Sequence, residues 1–499
     1  MSEQEIALNP NDLVRFLGKS PELFTRADLI SFIEQNGIKM VNFRYVAGDG
    51  KLKTLNFIIN NLEHLESILT YGERVDGSSL FPFIEAGSSD LYVIPRYRTA
   101  FVNPFSEIPS LEILCSFFDH TGKPLENAPE NILQKAATRF RMDTGLNLKA
   151  FGELEYYVNS PLDEHYIADD QKGYHISSPF AKWEELRIRA LELIARAGGK
   201  VKYGHSEVGN FTRDGQAFEQ HEIEFLPMEI EQAADQLVIA KWILRKLAND
   251  YGIELSFAPK ITVGKAGSGL HIHLMLEKEG KNVMLTGNNL SDKAKKMIAG
   301  ILEMAPALTA FGNTIPTSYL RLVPNQEAPT RICWGERNRS VLVRVPLGWS
   351  SREGMINQVN PAEKEISDAA SGRQTVEFRA PDGSADIYNL LSGLLVAARK
   401  GLLDPDALRN ADRWYVASNV IRNEQGLSEL ESLPGSCVAS ARALQESRAV
   451  FEENGIFPPG HIDSIIGKLR SYNDTQLSEK LEGKTEEIRE LVLKYIHVM

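Results

Sequence analysis

Cysteine is scarce: Cys115, Cys333 and Cys437 are the only three in 499 residues. Their spacing fits neither a paired disulfide framework nor a thiolate metal site, which points to a reducing compartment. Dense runs of lysine and arginine are missing and the net charge is -12, so nothing is laid out to track a nucleic-acid backbone. No run reaches the roughly 18 apolar residues that span a bilayer, and Met1 to Pro10 lacks the basic-then-apolar order of a leader. These absences predict a cytoplasmic protein with no nucleic-acid and no membrane partner. Also lacking are a Walker-type loop, a kinase motif set and a GxGxxG fingerprint. A hydrophobic content of 43% over this length is enough for two or more domains.

The start of the chain reads as a helix from Asn11 to Asn36. Alternating strands follow, Met40 to Tyr45 and Leu52 to Ile59, about the turn Gly48-Asp49-Gly50. A loop is expected at 74–79 and a strand at Leu91 to Pro95, closing a small α+β unit near Phe105. A strand from Leu111 to Phe118 and helices at 128–144, 181–198, 229–251, 291–311 and 385–401 follow. Phe211 to Gln216 reads as a polar surface insertion, and Gln476 to Val498 as one amphipathic terminal helix.

Within strand-like stretches, ionisable residues recur two apart: Glu153 and Glu155, Glu222 and Glu224, His271 and His273, Glu377 and Arg379. Side chains two apart on a strand share a face. Carboxylates held together on a buried face repel, and burial costs them solvation, unless a cation lies between them. Four such segments predict a polar, cation-filled cavity lined by a sheet. Two imidazoles after Gly267-Ser268-Gly269, with glutamates, suit Mg²⁺ or Mn²⁺ better than a thiolate-seeking metal. Arginines at 321, 331, 337, 339, 344 and 379 add guanidinium forks for carboxylates or phosphates. Divalent ions with several arginines match the needs of phosphoryl transfer.

Ordered blocks along nearly the whole chain resemble the glutamine synthetase family. They are Val75-Asp76-Gly77-Ser78-Ser79, Gly152-Glu153-Leu154-Glu155, Gln220-His221-Glu222, Gly267-Ser268-Gly269-Leu270-His271, Ser318-Tyr319-Leu320-Arg321, Glu327-Ala328-Pro329, Asn338-Arg339-Ser340 and Glu377-Phe378-Arg379-Ala380-Pro381-Asp382. The resemblance implies an α+β protein: a small N-terminal β-grasp domain, residues 1–106, then a catalytic domain, 107–499, with a curved antiparallel sheet and helices. It implies a homo-oligomeric double ring, a dodecamer, with active sites between subunits. By position, Glu155, Glu207 and Glu222 would hold one of two or more Mg²⁺ or Mn²⁺ ions, and Glu153, His271 and Glu377 another. His273, Arg339 and Arg344 would contact the phosphates of the cosubstrate ATP. Gly267, Arg321 and Arg379 would bind glutamate. Glu327 would sit on a flap and take a proton from the attacking nitrogen, with Tyr174 by the ammonium pocket. The implied reaction makes glutamine from glutamate and ammonia through γ-glutamyl phosphate.

The chain departs from the family pattern at Ala47, where ammonia-using members place an aspartate, and at Ala266 and Met275. A γ-glutamyl ligase that uses a polyamine or another small amine therefore stands as an alternative, as does a non-catalytic ring protein on the same fold. The terminal helix would dock either on an opposing ring or on its own domain.

Overall fold

The computed structural model describes residues 1–85, 87, 89–323, 328–348, 355–364, 372–417, 430–481 and 483–498, and all counts refer to these. The expected first helix is two helices, Asp12–Leu17 and Arg26–Gln35. Gly18, at φ 66°, ends the first, and Pro21 opens a short 3-10 turn. A positive φ suits glycine and stops helical propagation. Asn11 caps the first helix, and Thr25 with Asp28 forms a capping box on the second.

The small sheet has six strands in the order Leu52–Ile58, Met40–Val46, Ser110–Phe118, Asp90–Pro95, Glu73–Asp76, with Phe101–Val102 also on Ser110–Phe118. Met40–Val46 runs parallel to Ser110–Phe118, and the other pairs are antiparallel. The stretch expected as a loop at 74–79 is half strand, followed by the 3-10 turn Gly77–Ser79, because Asp76 accepts from the Ser78 backbone and from both serine hydroxyls. By pairing, Ser110–Phe118 belongs with this sheet although it lies beyond residue 106. Helices Arg26–Gln35 and Leu62–Tyr71 supply apolar residues to the core of this unit. Arg96 joins it to the rest: both Nη atoms donate to Asp235 at 2.9 Å, and Tyr388 donates to the same carboxylate at 2.6 Å.

A ten-stranded sheet forms the second unit. Its main path is Trp334–Glu336, Val343–Val345, Val376–Phe378, Leu270–Lys278, Asn147–Pro161, Gln216–Phe225, Val201–Arg213. Except for Trp334–Glu336 with Val343–Val345, these neighbours are antiparallel. Along Asn147–Pro161, Leu148, Ala150, Leu154, Tyr156 and Val158 point into the main core. Leu270, Ile272, Leu274 and Leu276 do the same from the neighbouring strand. Each leucine, isoleucine and valine among them contributes about 1.5–3 kcal/mol of burial. Helices Pro129–Thr144, Glu184–Arg196, Ile230–Asp250, Asp292–Gly312 and Ile387–Leu403 contribute the other side of that core. The alternate residues are left to the opposite face, where the charges lie.

Phe211 to Gln216 is a hairpin tip, not an insertion. Val201–Arg213 and Gln216–Phe225 are joined by Asp214 and Gly215, both at positive φ (51° and 72°), the two-residue turn that Asp-Gly favours. The terminal segment is likewise two helices, Leu477–Lys480 and Thr485–Lys494, with Gly483 at φ 75° before the second. It packs on its own chain: Ser256 donates to the Ile496 carbonyl at 2.5 Å, Arg245 donates to that of Val498, and Arg489 pairs with Asp214. All three cysteines are buried, Cys115 in the small sheet, Cys333 beside Trp334, and Cys437 at the start of helix Cys437–Glu452. No helix among the described residues is long and apolar enough to cross a membrane.

Candidate active site

The charged face of the large sheet is built by register. One rung runs Tyr203, Glu224, Glu153, His271 across four strands; the next runs His205, Glu222, Glu155. His273 and Arg344 lie opposite Glu377 on its two sides. Antiparallel pairing puts directly opposed side chains about 5 Å apart, so these acids meet without any loop to gather them. A cavity of about 500 Å³ opens over them. Its lining includes Glu153, Glu155, Tyr174, Glu207, Glu222, Gly267, His271, Arg321, Arg339, Arg344, Glu377 and Arg379, all expected from the sequence. His273 lies behind Glu153, and Glu327 lies outside the described residues.

Two ionisable groups form within the cavity. In the first, Glu153 receives His271 Nδ1 at 2.9 Å and His273 Nε2 at 2.8 Å. Glu377 accepts from Arg344 and Arg379, each at 2.8 Å, with His271 Nδ1 at 3.5 Å. Burial pushes Glu153 up, but the His273 imidazole and the hydrogen bonds from both histidines outweigh it and hold it well below the ordinary carboxylate range. Burial is likewise outweighed at Glu377, chiefly by Arg379. His273 stacks on Phe151 at 4.4 Å and contacts Thr375 through Nδ1 at 2.9 Å. Its other nitrogen thus meets Glu153 directly.

The second group is unbalanced. Glu155, Glu207 and Glu222 converge; burial, then the charge of Glu207, pushes Glu155 up to about 8, and burial, then the charges of Glu153, Glu155 and Glu207, pushes Glu222 well above its ordinary value. Burial also raises Glu207. Glu155 spends one oxygen on the Gly269 N–H (2.7 Å) and on Gln220 Nε2 (3.1 Å). The donor atoms that lie within 4.8 Å of one another are those of His205, Glu207 and Glu222, and, in the first group, those of Glu153, His273 and Glu377. The sets expected from the resemblance had Glu155 in place of His205 and His271 in place of His273. In the sequence His205 stands two residues before Glu207, but its place opposite Glu222 comes from strand register, next to a β-bulge between Ser206 and Asn210. Buried acids that repel one another and lack a bonded guanidinium are the donor chemistry of a hard divalent cation, and the site fits one.

Glu207 sits on that bulge. Gly209 donates its N–H to Gln220 Oε1 at 3.0 Å, and Gln220 Nε2 also donates to the Gly267 carbonyl at 3.0 Å. From behind, Arg187 donates to Ser206 at 3.0 Å and contacts His221 Nδ1 at 2.8 Å. Arg321, on the turn Ser318–Arg321, donates to the Ala380 carbonyl at 2.8 Å with its other Nη beside His271. Tyr174 bonds Arg339 at the mouth and stacks on His175 at 4.1 Å. At the departures, the Ala266 carbonyl accepts from Tyr157 at 2.9 Å, and Asp49 is engaged by Lys53 at 2.7 Å in its own turn.

A β-grasp unit ahead of a curved sheet that gathers acids, imidazoles and guanidinia into one cavity defines a ligase-type enzyme. Models of the glutamine synthetase β-grasp domain and catalytic domain match residues 37–120 and 126–470, and the chain belongs to the glutamine synthetase family. It is 28% identical over 481 residues to the glutamine synthetase of Microchaete diplosiphon and 29% over 484 residues to that of Frankia alni. Each alignment covers 89% of this chain and 94% of the relative. Its fold superposes on a glutamine synthetase of Plasmodium falciparum (TM-score 0.73, 20% identity, 92% of this chain and 98% of that one). It also superposes on ligand-free GmaS (TM-score 0.71, 19% identity, 91% and 97%).

Proposed function

We propose that the protein is an ATP-dependent ligase that forms glutamine from glutamate and ammonia through γ-glutamyl phosphate. The observation that carries this reading is the division of the cavity: acids that need cations at its floor, and Arg321, Arg339, Arg344 and Arg379 around them. A carboxylate is a poor acyl donor because its oxygen leaves badly. ATP turns that oxygen into phosphate, which leaves well. Mg²⁺ or Mn²⁺ at the two acid groups would neutralise charge on the transferred phosphoryl group. Glu153, His271 and Glu377, with His273 alongside, would hold one ion, and Glu155, Glu207 and Glu222 another. Arg344 and Arg379 hold Glu377 between them. Charge on that carboxylate drawn off by an ion frees both guanidinia for anions, Arg344 with Arg339 and His273 for the ATP phosphates, and Arg379 with Arg321 and the Gly267 backbone for glutamate.

Once the acyl phosphate forms, the attacking nitrogen must lose a proton, which Glu327 and the wall at Tyr174 and Glu207 would take and orient. Subunits would pair as rings, with the hairpin tip at 47–50 of one reaching the cavity of the next. A second reading, a γ-glutamyl ligase for a larger amine, is favoured by Ala47 at that tip and by Asp49 being engaged with Lys53. ADP release measured with glutamate plus ammonia, and with glutamate plus a panel of amines, separates the two. Turnover with ammonia at least as efficient as with any amine is expected. Activity confined to one amine replaces the first reading with the second.

A further inference from the structure

Resting on the reading of the cavity as a two-ion site, we propose that His205 is a nitrogen ligand in the ion site of Glu207 and Glu222, making that site prefer Mn²⁺ to Mg²⁺. His205 Nδ1 lies 3.0 Å from the Ser206 carbonyl, so this nitrogen carries the proton and donates there. Nε2 is left with its lone pair, and it faces Glu222 Oε2 at 3.3 Å. A lone pair aimed at a carboxylate is repulsive unless a proton or a metal ion lies between them. An imidazole whose far nitrogen donates to a backbone carbonyl is the arrangement that fixes a metal-binding histidine in its tautomer and orientation.

Two neighbouring rings hold the His205 ring in place. His175 lies over it with centroids 4.3 Å apart, and Tyr174 meets it edge-on at 5.4 Å. The His175 N–H donates to the Ser206 carbonyl at 2.9 Å, tying the 171–175 segment to the strand that carries His205. One donor atom each of His205, Glu207 and Glu222 lies within 4.8 Å of the others, and Glu207 Oε1 is 3.9 Å from the His205 Nδ1 atom. Glu155 has its Oε2 held by Gly269 and Gln220, which leaves Oε1 to join the same ion. One imidazole among carboxylates softens the site: Mg²⁺ demands oxygen and keeps its waters, whereas Mn²⁺ accepts nitrogen.

The test is Mn²⁺ and Mg²⁺ titration of the full chain, with pulsed electron paramagnetic resonance of the Mn²⁺ form to read ¹⁴N couplings. The expected wild-type result is two bound Mn²⁺ ions, both coupled to ¹⁴N. In His205→Gln one ion should lose its ¹⁴N coupling and weaken at least about tenfold, with a smaller change for Mg²⁺. His205→Asn, smaller and able to keep the Ser206 contact, should behave alike, and a melting curve for each variant separates ligand loss from unfolding. Two Mn²⁺ ions bound with unchanged affinity and an unchanged ¹⁴N spectrum in both variants would overturn the role of His205 and leave the two-ion reading standing. A wild-type chain that binds no Mn²⁺ would overturn both.

Discussion

Three of the acids that line the cavity, Glu153, Glu224 and Glu377, have basic side chains bonded to them, and Glu155, Glu207 and Glu222 do not. This difference has a sign that can be measured. Glu155 is pushed up to about 8 in the folded chain, far above an ordinary carboxyl, and Glu222 shifts the same way. Between the ordinary value and about 8 the native state holds protons that the unfolded state has released. Without ions, the stability these groups contribute is complete in acid and is lost as pH rises through about 8. The melting temperature of ion-free protein is therefore expected to fall between pH 6 and pH 8, and saturating Mn²⁺, which takes the place of those protons, to abolish the fall. A melt series at both pH values with and without Mn²⁺ checks this; no pH effect without ions would contradict the crowding of the three acids. The proposed reaction makes a separate demand on Glu327. Glu327→Ala should bind ATP about as wild type does while amide formation slows by roughly a hundredfold or more, read by single-turnover product release. Equal loss of both would remove it from proton transfer.

The strands carry most of what could be foreseen. Alternation of Glu153 and Glu155, or of His271 and His273, with leucine and isoleucine announces both the strand and its charged face, because the pleat has a period of two. The ring of arginines was equally visible. Register was not: the rungs that set His205 across from Glu222, and His273 beside Glu377, depend on pairings between strands far apart in the chain and on a bulge that adds residues to one strand only. The tip at Asp214 and Gly215 was hidden because its neighbours are polar, although the dipeptide itself is a turn signal. The terminal helix breaks at a glycine that an amphipathic pattern passes over. The bulge gives the element-scale prediction. A Cβ added to Gly209 would meet Tyr157 Oη at 2.0 Å and Gln220 Oε1 at 2.4 Å. Gly209→Ala should cost about 1–3 kcal/mol and displace Glu207, lowering affinity for one ion of the two. Chemical denaturation together with Mn²⁺ titration tests it; full stability with full affinity would mean the bulge yields freely.

Across the whole molecule, the two sheets are joined through buried charge. Arg96 reaches from the small unit to Asp235 on helix Ile230–Asp250, where Tyr388 also donates. Nothing in the local pattern around Arg96 or Asp235 marks them as partners, since they lie 139 residues apart. Arg96→Ala would leave a buried carboxylate with only a phenol and the more distant Arg98, 3.6 Å away, and is expected to cost about 3–5 kcal/mol. If the hairpin tip of one subunit completes the cavity of the next, the same change should also shift solution mass toward smaller assemblies, measurable by light scattering. The sparse thiols give a further handle on how the molecule opens. Cys115, Cys333 and Cys437 sit in the small sheet, at the edge of the large one, and at the head of a late helix, all sealed from solvent. With so few sites, an alkylating reagent followed by peptide mass analysis resolves three labelling rates, and their order tells which part of the subunit breathes first under native conditions.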